Sequence, residues 1–422
     1  MHSDYSTGFW AMLALQSFWI LAGISWLFRR GDEVPIIVSS FLGYVASYRY
    51  YAVVSNGSEG VSLSNFGFGA IDLQALIVAL YYIVFGESVF LATYMLAQNR
   101  RVTWKSVRFS PKLIVWLRTH VLIFAPLAMA LAVISKGRVG EMTGSGVSML
   151  QMSGYLYQLP MMLISVGILL AMLWKLNALA LMWHKALAAL LFYGLFSLTY
   201  GPSGRFQFIG WMLGGLVVLA TGFAPRRRAA ILSAGACAIM AVFAVAGAAR
   251  NPDGDAVERA RSAEDGNMLD GFVFIQQVYP MMLPYSMGTE HLDILLRPIP
   301  RALWPGKPVG GYMNKLGFGG LDAGFSLGIS PTLFGSFYQE GAGVGIFILS
   351  VLYALVFAAI IRVGIRAHPA AGLLIRGVTA AAIIPLFRGG DLPGIFAWLG
   401  MAFWPCVLLL WWKRQEFRLV KN

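Results

Sequence analysis

Three short stretches of this chain gather residue types suited to holding an anion. Residues 295–308, LLRPIPRALWPGKP, set Arg297, Arg301 and Lys307 among four prolines. Proline stiffens the backbone, and a guanidinium grips phosphate through paired hydrogen bonds, so the pattern suits a fixed cationic clamp. The competing reading has these cations reaching to lipid headgroups while the prolines only shape a loop. In residues 199–211, TYGPSGRFQFIGW, Arg205 opens an apolar run behind Gly201, Pro202 and Gly204, which let the backbone turn closely around a ligand. An interfacial anchor is the plainer role for that arginine. Residues 387–394, FRGGDLPG, supply Arg388 as a further clamp beside Asp391, or else an ion pair across a turn worth about 0–1 kcal/mol when exposed.

Acid–base chemistry has fewer candidates. Residues 330–347, SPTLFGSFYQEGAGVGIF, carry Tyr338 and Glu340, where Glu340 serves either as a base or as a cap beside the positive end of a helix, with Tyr338 orienting. Asp391 is the second possible base. Glu87 lies within an apolar run, where a charge is costly without a partner; it belongs to a proton pathway, pairs with Arg118, or is neutral. His184 and His291 lack neighbouring ligands for a metal site, and Asp253-Gly254-Asp255 sits in a polar segment away from nucleotide sugars. No Gly-rich phosphate loop with lysine and no nucleophile elbow occurs. Neither a metal nor another cofactor is expected.

The elements that must position these residues are helices in lipid. Of 422 residues, 58% are hydrophobic and only 12% charged, against roughly a quarter charged in soluble domains. Apolar runs of about 20 residues, each long enough to cross a hydrocarbon core, predict an all-α polytopic bundle of about eleven spans. They fall at 9–28, 34–54, 71–97, 113–134, 156–174, 178–199, 206–223, 229–249, 342–361, 371–387 and 394–412. The start, MHSDYSTG, has no basic leader pattern, so the first run is expected to be retained. Cys237 and Cys406 fall inside spans and imply no disulfide.

The net charge of +13 does not point to nucleic acid, because the basic residues cluster in alternate loops. Arg29 and Arg30, the 100–112 loop, Lys175 and Lys185, Arg226 to Arg228, Arg362 and Arg366, and the tail from Lys413 form one set. By the positive-inside rule that set is cytoplasmic, which puts the N-terminus outside and the C-terminus inside. Three parts follow: an N-terminal bundle, 1–249; a large outward loop, 250–341, whose second half is apolar enough to cap the bundle; and a C-terminal bundle with its tail, 342–422. No inverted repeat of the transporter kind is visible.

Together, the topology, the Gly-Arg segment opening a middle span, IPRALWPGKP and PTLFGSFYQEGAGVG resemble the Wzy-type oligosaccharide repeat-unit polymerases of bacteria, within the O-antigen ligase-like superfamily. The resemblance covers the topology of the whole chain and the motifs of residues 199–211 and 295–347. It implies a metal-independent membrane glycosyltransferase at the periplasmic face of the inner membrane, acting on undecaprenyl-pyrophosphate-linked oligosaccharide to build O-antigen, capsule or exopolysaccharide. A flippase and a chain-length regulator would be its partners. The resemblance assigns Arg205 to the family's arginine in the middle outward loop. Arg297, Arg301, Lys307 and Arg388 are added by location and charge as stabilisers of the leaving pyrophosphate. A ligase-like histidine base matches poorly, since His291 has no recognisable motif around it. The alternatives are a lipid-linked sugar flippase or other transporter, an O-antigen ligase, and an assembly subunit without chemistry.

Overall fold

The computed structural model describes residues 2–56, 72–102, 110–144, 158–200, 205–248, 267–296, 312–316 and 330–412, with isolated positions between them. Among these the chain is helical, with a single isolated bridge, Thr332 to Gly389, in place of any sheet. The long helices are α1 (His2–Arg30), α4 (Leu73–Ala97), α5 (Pro111–Gly144), α13 (Thr332–Arg366), α14 (Pro369–Arg388) and α15 (Leu392–Trp412). Each is long and apolar enough to cross a membrane. Between them lie α2 (Val34–Leu42) and α3 (Arg49–Asn56), joined by a π-helical turn (Gly43–Tyr48), then α6 (Leu163–Lys175) behind a 3₁₀ turn (Leu159–Met162), α7 (Met182–Thr199), α8 (Arg205–Ala220) and α9 (Pro225–Ala248). The described part of each candidate span falls largely in helix, and six of these helices are long and apolar enough to cross a membrane.

Solvent preference runs opposite to that of a soluble protein. Trp10, Phe18, Leu21, Leu190, Val363 and Val407 project outward, while Glu33, Arg49, Glu87 and Arg376 are buried. Apolar exterior and paired polar interior are what hydrocarbon demands, since lipid satisfies no hydrogen bond. The protein is an all-α polytopic membrane bundle.

Two packing cores share α14. One joins α5, α6, α7, α8 and α15; the other joins α1 to α4 with α10 (Met268–Val278) and α13. Small residues bring helices close: a methyl on Gly214 would meet the Gly377 carbonyl at 2.7 Å, which fixes the α8–α14 crossing. The expected cap is more deeply inserted than the sequence suggested. All of Met268 to Ile275 is buried, against α4 and α13, so α10 is part of the bundle. Its Asp270 meets Arg49 at 2.8 Å, both 3% exposed, so the arginine inside the second candidate span is paired within the bundle.

α13 is two helices. At Gly341 and Ala342 the backbone leaves helical geometry (Ala342 φ 52°, ψ −140°), separating a wholly buried half-helix, Thr332–Glu340, from the spanning segment. Ser336 Oγ reaches the Gly390 carbonyl at 2.8 Å, and Gly389 (φ 74°) lies against the Thr332 backbone where a side chain would not fit. The half-helix is thus docked on the α14–α15 turn. The ends of the bundle differ in content: α1, α4, α6 and α8 end, and α9 and α14 begin, among the arginine-rich loops, here the basic end. The opposite, cap end carries α10's exit, α11 (Thr289–Leu296), α12 (Tyr312–Lys315), the α13 kink and the α14–α15 turn.

Candidate functional site

The cap end assembles ionisable groups from five separate segments. Glu340 stands last in the buried half-helix, immediately before the kink. Its carboxylate accepts from His291 Nδ1 at 2.8 Å and from the Gly288 backbone N–H at 2.5 Å. The backbone adds Ser286 N–H to the Gln339 carbonyl (2.9 Å) and Met287 N–H to the Glu340 carbonyl (3.0 Å). Glu340 therefore does cap a helix, but α11 and not the span that follows it. Ala342 beside it holds a positive φ, a conformation costing about 1–3 kcal/mol for a residue with a Cβ and one that recurs at functional sites.

His291 is oriented at both nitrogens. An ionised carboxylate only accepts, so Nδ1 donates to Glu340, and Nε2 is left to accept from the Tyr353 hydroxyl at 3.1 Å. The carboxylate is 3% exposed and the imidazole 29%, so the charge is shielded while the base is reachable. Such a chain can take a proton at Nε2, directly or through Tyr353, and hold the resulting imidazolium against Glu340.

Around this chain lies a second polar layer. Glu290, buried, accepts from Lys315 Nζ at 2.5 Å. Burial pushes its carboxyl above the ordinary value, with Lys315 pulling the other way. The Tyr279 hydroxyl is pushed up to about 12 by burial and then by Glu290, with Glu340 and Asp391 contributing. Asp391 and Arg388 both act on the buried Tyr312 hydroxyl, which places the α14–α15 turn beside α12. Tyr338 forms an aromatic wall with Tyr82 (5.3 Å between centroids), Phe272 (5.6 Å) and Tyr285 (6.1 Å).

Of the residues singled out from sequence, Glu340, Tyr338, Arg388 and Asp391 meet at this end. Arg205 opens α8 at the same end, since α8 finishes at the basic end where Leu219 accepts from Lys175; its side chain, like Arg297, Arg301 and Lys307 entirely, lies outside the described residues. The Asp253–Asp255 pair lies outside them too. Among the described residues no group of three or more His, Cys, Asp or Glu is placed to hold a metal.

The sequence pattern led to His291 being set aside and gave no sign of Tyr353, Glu290 or Lys315. His291 and Glu340 are 49 positions apart, so no local spacing announces the pair. Glu87, in turn, does not pair with Arg118, whose guanidinium goes to the Ala178 carbonyl; Glu87 accepts from Gln16 at 2.9 Å in the middle of the bundle. At the basic end, Glu33 receives both Arg228 and Arg376, the latter through Nε at 3.2 Å and Nη2 at 2.5 Å. No protein-family model, characterised protein or solved structure matches the chain.

Proposed function

We propose that the chain polymerises undecaprenyl-pyrophosphate-linked oligosaccharide repeat units at the periplasmic face of a bacterial inner membrane. The observation that carries this reading is the Glu340–His291–Tyr353 chain, a partly exposed base on a shielded carboxylate, at the end opposite the arginine-rich loops. With those loops cytoplasmic, the N-terminus and the cap end are periplasmic. A hydroxyl of the acceptor repeat unit attacks the anomeric carbon of the donor. Its proton passes to His291 Nε2, and the carbon–oxygen bond to the lipid pyrophosphate breaks.

The leaving group gains negative charge in that step, and preorganised arginines stabilise it without a metal. Arg388, together with Arg205, Arg297, Arg301 and Lys307, fills this role in the proposal. Asp391 and Glu290 tune the polar layer, and the Tyr338 wall offers an apolar face to sugar rings. A flippase would supply the substrate and a chain-length regulator would set product size.

The oriented histidine also favours a second reading, transfer of a finished glycan to a different acceptor as in an O-antigen ligase, because both reactions need the same base. Product length separates them. Purified protein in vesicles supplied with the lipid-linked repeat unit is expected to yield a ladder of multiples. A single transfer to an added acceptor instead would identify a ligase, and substrate crossing leaflets without covalent change would overturn both in favour of a flippase.

A further inference from the structure

At the basic end, away from the proposed catalytic cluster, a cavity of about 220 Å³ opens between the end of α1, residues 101–102, and the starts of α9 and α14. Arg101, Arg228 and Arg376 line it, with the backbone of Gly31 and the ring of Phe223. Arg228 is 5% exposed and Arg376 7%. Both donate to the Gly31 carbonyl and to Glu33, which fixes their guanidiniums in place. Arg228 Nε is buried and has no acceptor among the described residues. A buried donor left over in this way costs free energy unless a ligand satisfies it.

The local charge is positive even with the carboxylates counted. Arg101, Arg228 and Arg376 oppose Glu33 and the neighbouring Asp32, and Phe223 carries Lys175 on its ring at 4.4 Å and Arg227 at 4.3 Å. Val102 N–H donates to the Arg30 carbonyl at 2.7 Å, which holds Arg101 at the cavity's edge. Fixed guanidiniums between helix ends at the level of a lipid interface match the chemistry of phosphate recognition.

We propose that this cavity binds a phosphate-type anion, carried either by the headgroup of an anionic phospholipid or by free phosphate. Arg228 and Arg376 form the fixed floor, and Arg101 closes over the ligand. The site is independent of the glycosyl-transfer reading.

The test uses delipidated, detergent-solubilised full-length protein. Native mass spectrometry follows phosphatidylglycerol against phosphatidylcholine, and thermal unfolding follows inorganic phosphate. Arg101→Glu, at an exposed position outside the core, is compared with Arg138→Glu, an equal charge reversal on the exposed part of α5. Phosphatidylglycerol is expected to bind in preference to phosphatidylcholine and to weaken on the order of tenfold in Arg101→Glu but not in Arg138→Glu. If inorganic phosphate alone raises the unfolding temperature and displaces the lipid, the occupant is the free anion; if it does neither, the headgroup is the ligand. Equal binding of both lipids with no phosphate effect, or binding indifferent to Arg101→Glu, overturns the proposal.

Discussion

The two ends of the bundle both bury carboxylates, yet they bury them differently. At the basic end Glu33 is answered by two arginines, each a permanent cation and each nearly as buried as the acid. Burial opposes its ionisation, but Arg376 and Arg228 hold the carboxyl below its ordinary value. At the cap end Glu340 is answered by a backbone N–H and by a histidine that can be neutral or charged. Fixed charges meeting fixed charges make a clip, because no proton need ever move. A shielded acid holding a titratable, partly exposed base makes a site for moving one. The contrast separates the end that fastens α1, α9 and α14 together from the end where chemistry is proposed.

The sharpest way to break the contrast is to exchange the effects of equivalent substitutions. His291→Ala is expected to lower turnover by about 10²- to 10⁴-fold, the usual contribution of a general base, with little change in unfolding temperature. Glu33→Gln is expected to do the reverse: it leaves Arg228 and Arg376 buried without their counter-charge and costs about 3–5 kcal/mol, read as loss of folded protein on heating in detergent. If both variants lost activity and stability in proportion, the two clusters would be doing the same job.

Smaller effects sharpen the boundary. Asp270→Asn removes the carboxylate counter-charge that Arg49 meets at 2.8 Å and is expected to destabilise by up to the same 3–5 kcal/mol, whereas Arg49→Met with Asp270→Leu restores most of it, because an apolar pair needs no desolvation of charge. Thermal unfolding of the three variants checks this. Gly389→Ala forces a Cβ against the Thr332 backbone at a positive φ and is expected to cost about 1–3 kcal/mol, loosening the half-helix that carries Glu340.

The least effect is a slope with pH. Burial, then Glu33, raises the Asp32 carboxyl to about 6 from an ordinary 3.8. The folded chain therefore holds this proton more tightly than the unfolded chain, so the group favours folding most below about pH 4 and that contribution fades as the pH rises through 6. Asp32→Asn is expected to flatten the unfolding temperature between pH 4 and 6. An unchanged slope would place the titration elsewhere.

Helices were the most legible part of the chain, since runs of apolar residues long enough to cross lipid leave few other structures open. The α13 kink lay where the sequence loses its apolar character, at Gly341 and Ala342, but the buried half-helix before it looked like loop because SPTLFGSFYQE mixes polar and aromatic residues that satisfy one another only in the folded bundle. α10 was hidden for the same reason: Asp270 reads as a surface residue until Arg49, 221 positions away, is placed beside it. Glu340 was visible as a lone acid at a span's edge. His291 was seen and set aside, because its partner comes from a different helix and no spacing rule reaches that far. The acidic pair Asp32-Glu33 inside a basic loop was a signal that went unused.

Turnover of an undecaprenyl-pyrophosphate oligosaccharide by vesicle-reconstituted protein probes the Glu340–His291 pair when native chain, Glu340→Gln and His291→Ala are compared at matched folded amounts. A product ladder is expected from the native chain and from neither variant, with the unfolding temperatures of both variants unchanged. A ladder that persists undiminished in His291→Ala would contradict the proposed role of the pair and move the chemistry away from this cluster.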